Sequence, residues 1–348
     1  MRLNRTLLIM ALALPLSEGV LSDRLAAQDI HFTQFQYVPL SVNPAQTGLF
    51  AGTFRISGLY RSQWYGGGTG TVKNGYQTPV LHIDLPIKGF RKQDWIGVGV
   101  NLHQDKTGVG VLTNSLAGFN GAYHIGLDNK ATNVLSFGVQ YGLISRRVDA
   151  DKLRFADGIL SPTGTSLDVR NIDTKGKSYS DFSIGANFRS VLDPKTKNTL
   201  NIGVSVEHLL GPKYNLISTT ISKLPTRFNL YGMVDLSLTK QISLQPAVIL
   251  RTAGGQTETM AQAMVGFKLD PKKNTVFKGG LGYRLGDAVQ ALLGVELGDL
   301  RVGASYDLTT SSLRSNSSIR DGFEIAIGYV GKIFKKPNPP ATILCPKY

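Results

Sequence analysis

The sequence predicts an all-β chain: a transmembrane, antiparallel, up-and-down β-barrel of about 14 strands, with an irregular N-terminal segment and a short Pro-rich C-terminal tail. Three observations carry this. Apolar and polar residues alternate from residue 53 almost to the end, the period of two that marks strands. After the first 27 residues no stretch supplies about eighteen consecutive apolar residues, so a membrane-integral chain must cross with strands closed into a barrel. The connections, taken alternately, also sort by length. One set is short (88–93, 128–131, 193–198, 240–242, 270–274, 298–299), and the other includes 65–75, 150–178, 210–225 and 311–321. A soluble sandwich has no reason to sort its loops by parity; an outer-membrane barrel, with tight periplasmic turns and long external loops, does.

Residues 1–27 read as a secretory signal peptide: Arg2 and Arg5, an apolar run from Leu7 to Leu16, and small residues at Ala26-Ala27. Residues 28–52 have no period of either kind. Pro39 and Pro44 interrupt any regular element, and Asn43-Pro44 favours a turn. Phe32, Phe35, Tyr37, Pro39 and Leu40 form an apolar cluster that water would not tolerate. This segment is expected to be a plug or rim at the end of the short turns, with Asn43 and Pro44 fixing its path. The same seven residues are the candidates for docking a partner.

The barrel is expected over 53–334, with strands at 53–64, 76–86, 94–105, 112–127, 132–149, 179–192, 199–209, 226–239, 243–253, 257–269, 275–285, 288–299, 300–310 and 322–333. The pattern is clearest near the end. Phe277, Leu281 and Tyr283 oppose Lys278, Gly282 and Arg284; after Gly286-Asp287, Val289, Ala291 and Leu293 oppose Gln290 and Glu296. After Gly298-Asp299, Val302, Ala304 and Tyr306 oppose Arg301, Ser305 and Asp307. Gly-Asp pairs are hairpin chemistry. The polar or tiny face is expected inside, where Arg61, Asp84, Arg284 and Asp307 are candidate interior charges and Asp84 a candidate partner for Arg61. Residues 335–348 form a Pro-rich tail in the periplasm.

The net charge of +14 is spread over turns and tail with no basic cluster interleaved with aromatics, which points away from nucleic acid. Cys345 is the only cysteine, so the chain has neither a disulfide framework nor a CxxC metal motif. His31, His82, His103, His124 and His208 are scattered without HExxH or His-x-His spacing, so no metal site is expected. His124 with Ser136 or Asn120 is the one conceivable hydrolytic pair, with no local motif behind it. Gly66-Gly67-Gly68 lacks the Lys-Ser or Lys-Thr of a phosphate loop. The reading is of a chain that is not an enzyme and takes no cofactor.

Asp29-x-x-Phe32-Thr33-Gln34-Phe35, Pro39-Leu40-x-x-Asn43-Pro44-Ala45-x-x-Gly48 and Tyr60-Arg61-x-x-Trp64 resemble the PorP/SprF family in order and spacing. So do Gly97-x-Gly99 with Asp105-x-x-Gly108, Leu135-Ser136-x-Gly138, Gly282-Tyr283-Arg284-x-x-Asp287-Ala288, Ser305-Tyr306-Asp307 and the closing Cys345-Pro346. The resemblance implies an outer-membrane barrel of the type IX secretion and gliding-motility machinery of Bacteroidota, supporting export or surface attachment of cargo. Its implied partners are outer-membrane lipid, machinery proteins of the periplasm and outer membrane, and exported surface proteins or adhesins. A passive solute porin with an open polar lumen is the alternative.

Overall fold

The computed structural model describes residues 30–63, 75–107, 112–149, 176–217, 220–270, 275–311 and 321–333. The expected leader, the tail with Cys345, and Asp29, Trp64 and Gly108 lie outside these residues. Fourteen strands close into one antiparallel barrel, each paired with its neighbour in sequence apart from one excursion. They are β1 (Phe54–Gln63), β2 (Tyr76–Lys88), β3 (Trp95–Thr107), β4 (Leu112–Gly126), β5 (Asn133–Arg147), β6 (Lys177–Asp193) and β7 (Asn198–Glu207). After the small hairpin β8 (Lys213–Ile217) and β9 (Thr220–Lys223) come β10 (Arg227–Ser237), β11 (Ile242–Ala253), β12 (Gln256–Asp270), β13 (Thr275–Arg284), β14 (Ala288–Leu297), β15 (Leu300–Thr309) and β16 (Gly322–Gly331). β1 pairs with β16 at the seam, Arg61 opposite Glu324.

All fourteen expected strands are present, each within two residues of its expected ends. The correction lies in 210–225, expected as a plain loop, which carries the β8–β9 hairpin as a separate two-stranded sheet. The Gly-Asp turns form as expected. Gly286 and Gly298 take φ of +70° and +64°, the left-handed conformation that favours glycine.

The outward face is apolar: Phe137, Val139, Ile202, Val204, Leu281 and Leu293 are all exposed, as a lipid-facing wall requires. The inward face departs from expectation. Besides buried polar residues it carries apolar patches, among them Tyr231, Ile249, Met260, Met264 and Leu292. These patches receive the N-terminal segment. Residues 30–53 run inside the barrel as three single 3₁₀ turns, Phe35–Tyr37, Pro39–Ser41 and Pro44–Gln46, each of the last two started by its proline. Phe35 and Val42 pack on Tyr231, Met233, Ala247, Ile249 and Met260. Phe32 and Val38 pack on Leu59, Val80 and Ala326, and Leu49 packs on Trp95 and Val134. Each buried large side chain contributes about 1.5–3 kcal/mol, enough to hold an otherwise irregular segment in place.

Candidate functional site: the plugged lumen

The segment does not stay at the short-turn end. Thr33 and Gln34 lie against Glu324, Asp307 and Arg284, at the long-loop ends of their strands, whereas Thr47 and Gly48 lie against Asp84, Trp95 and His124 at the other end. The chain therefore descends the length of the lumen before it enters β1. Apolar patches on the wall are available at both levels, so the segment spreads along the lumen rather than balling up at its mouth.

At the long-loop end the contact is ionic. The carboxylate of Glu324 accepts the backbone N–H of Thr33 and of Gln34, each at 2.8 Å. Arg61 donates to Glu324 at 2.5 Å and to Asp307 at 3.1 Å, and Arg284 donates to Asp307 at 2.8 Å. The Thr33 hydroxyl lies 2.8 Å from both oxygens of Asp307. His31 faces Glu258 at 3.5 Å. Arg61, Arg284, Asp307 and Glu324 are almost fully buried, and Arg284 also meets Asp287 at 2.8 Å, so the desolvation of each charge is offset by opposite ones.

At the other end, Asp84 accepts the N–H of Gly48 at 2.6 Å and is held by Arg55 at 2.7 and 2.9 Å. Arg61 and Asp84 therefore do not pair. The β1–β2 register sets Asp84 opposite Arg55, six residues before Arg61, and Arg61 finds its acids across the seam instead. The structure brings Arg61, Arg284 and Asp307 together and leaves Asp84 in a separate pair.

Backbone contacts lock the middle. Asn43 caps its 3₁₀ turn by accepting from Ala45 N at 2.8 Å and donates its amide to the carbonyls of Ala186 and Val204 at 2.9 and 3.0 Å. Ser205 donates to Val42 O at 2.6 Å. The wall is cut to fit: a methyl on Gly97 would lie 1.8 Å from Thr47 O, and one on Gly138 would lie 2.3 Å from Ala45 N. Phe32, Phe35, Pro39, Leu40, Asn43 and Pro44 are buried and Tyr37 is half-buried within the barrel. A cavity of about 80 Å³ remains beside the segment, lined in part by Leu40, Asn101, Asp181 and Ser183.

His124 and Ser136 do meet, Nδ1 to Oγ at 2.7 Å, but His124 Nε2 is also 2.7 Å from Thr47 O. That carbonyl can only accept, so Nε2 carries the proton and Nδ1 accepts from the serine hydroxyl. Both side chains are wholly buried, with the imidazole stacked on Trp95 at 4.7 Å. The pair pins the segment to the wall and offers no open face to a substrate. Sequence reasoning missed Glu324, Glu258, Arg55 and the glycine sockets. The available signal was glycine recurring at inward positions of neighbouring strands.

Residues 24–329 match the family described as type IX secretion system membrane protein PorP/SprF. No curated protein matches the chain. Among solved structures it is similar to the Ralstonia pickettii toluene transporter TbuX, with 12% identity over 84% of this chain and 92% of that one, TM-score 0.47. A Pseudomonas aeruginosa FadL homologue gives 11% identity over 83% and 92%, TM-score 0.48. The P. putida toluene transporter TodX gives 9% over 82% and 92%, TM-score 0.46.

Proposed function

Because the chain belongs to the PorP/SprF family of type IX secretion system membrane proteins, we propose that it is a plugged, non-catalytic barrel of the bacterial outer membrane that supports export or surface attachment of cargo proteins. Machinery proteins would meet it at the short-turn, periplasmic end, and exported surface proteins or adhesins at the long loops, in a machinery of the gliding-motility type. One observation carries this reading over that of a passive solute porin. The lumen is filled by residues 30–53, fixed at both ends and fitted into glycine sockets along the way. A wall that has given up side chains to seat a segment is built around it, and a solute path would need that space. Cargo is then handled at the barrel's ends rather than through its interior. If Phe32, Phe35, Tyr37, Pro39, Leu40, Asn43 and Pro44 dock a partner, the segment must first leave the wall.

Deleting the gene and comparing surface proteins with small-solute uptake tests the reading. Loss of particular large surface proteins with unchanged uptake is expected. Normal export with reduced uptake would establish the porin instead.

A further inference from the structure

At the short-turn end the acids are taken up by donors of their own turns or of a neighbouring strand end. Asp94 accepts from Arg91 at 2.7 and 2.9 Å, from the Tyr123 hydroxyl at 2.9 Å and from Gly126 N at 3.1 Å. Asp128 accepts from the backbone N–H of Lys130, Thr132 and Asn133 at 2.9, 3.0 and 2.7 Å. Asp193 accepts from Lys195 N at 2.9 Å and the Thr196 hydroxyl at 2.8 Å, and Asp299 pairs with Lys332. Burial works against the charge on Asp94 and Asp128, yet their donors hold the first below its ordinary value and bring the second down to about 2. Each of these acids already has a donor.

The bases of the same turns are left over. Lys92, Lys130, Lys195 and Lys240 are exposed, and among the described residues none forms an ion pair; Lys195 lies in the field of Asp193, whose oxygens are already taken by its own turn. A second feature accompanies them. Phe90, Leu127, Leu192, Leu238, Leu269 and Ile333 stand exposed beside these connections, Phe90 at 88%. In four turns the apolar residue precedes the exposed lysine by two or three positions: Phe90 and Lys92, Leu127 and Lys130, Leu192 and Lys195, Leu238 and Lys240. An acidic protein surface would satisfy the lysines alone. Acyl chains ending in phosphate satisfy both halves, the apolar side chain in the hydrocarbon margin and the ammonium at the headgroup.

We propose that this rim binds the anionic headgroups of phospholipid in the periplasmic leaflet, a ring of lysines each seated at a phosphate with its apolar neighbour in the acyl layer. The test uses the full barrel in vesicles of phosphatidylcholine with about 30 mol% phosphatidylglycerol, gently re-extracted, with the lipids that stay bound measured. Wild type should retain phosphatidylglycerol at about threefold its bulk share. The combined variant Lys92→Gln, Lys130→Gln, Lys195→Gln and Lys240→Gln should fall to near the bulk share while its heat-modifiable gel shift confirms a folded barrel. The matched set Lys106→Gln, Lys177→Gln, Lys213→Gln and Lys223→Gln, at the other end, should keep most of the enrichment. Undiminished enrichment in the first set, or equal loss in both, overturns the proposal. So does tight binding of inorganic phosphate alone by the detergent-solubilised protein, which would make the rim a free-anion site.

Discussion

Glu324 meets Thr33 end-on: one oxygen of its carboxylate accepts the Thr33 backbone N–H at 2.8 Å, while the other takes the N–H of Gln34. The same carboxylate neutralises Arg61 across the barrel seam. Glu324→Gln leaves Arg61 with Asp307 as its remaining ion-pair partner and removes the charge that holds the segment's first turn. Losing one partner from such a buried cluster should cost about 3 kcal/mol. Denaturant midpoints read from the heat-modifiable band check this, and an unchanged midpoint would show that the ionic end adds nothing.

The glycine sockets give a sharper contrast. Gly97→Ala and Gly138→Ala press a methyl group into the segment's backbone and should each destabilise by about 1–3 kcal/mol, with increased leakage of a small dye through the loosened lumen. Gly121, on the intervening strand β4, points outward, and a methyl group added there would meet nothing within 4 Å. Gly121→Ala should stay within about 0.5 kcal/mol of wild type and remain tight. Similar behaviour of all three would remove the argument that the wall is shaped to the segment.

Topology is checked by labelling in a Cys345→Ser background. Gln256→Cys, exposed at the start of β12 beside the Gly254-Gly255 turn at the long-loop end, should react with an impermeant reagent on intact cells. Lys195→Cys, at the other end, should react only after the outer membrane is breached. The reverse result would turn the barrel over and move cargo contacts to the short turns.

The Asp128 turn predicts a pH dependence. Its folded pKa of about 2 lies below the ordinary 3.8, so the carboxylate adds stability above 3.8 that is lost as pH falls through 2. The melting difference between wild type and Asp128→Ala should therefore be constant at neutral pH and shrink across that acid window. A difference that persists below it would mean that the protonated side chain serves the turn equally well.

Most of the wall was legible in the sequence because strand pairing between chain neighbours leaves a local trace, a period of two broken by turn residues. The β8–β9 hairpin left none, since KYNLI and TISK are short and do not sustain one apolar face. The partner of Arg61 was hidden for a different reason. A barrel's seam joins the two ends of the chain, and nothing near residue 61 announces residue 324. The interior apolar patch was in view as Ile249, Met260 and Leu292 at inward positions, but its meaning depended on knowing that Phe35 and Val42 reach it. Arg284 and Asp307 could be placed inside by parity alone, and their meeting required the register of β13, β14 and β15.

The seam also joins the two strands farthest apart in the sequence, the pairing with the largest loop to close. The segment is covalently joined to β1 and bonded through Thr33 and Gln34 to Glu324 on β16. It thus acts as a clasp whose two halves belong to the first and last strands made, lowering the entropic cost of their encounter. Without it, the first and last strands would be held together by their own pairing alone, and an open seam would expose two unpaired edges.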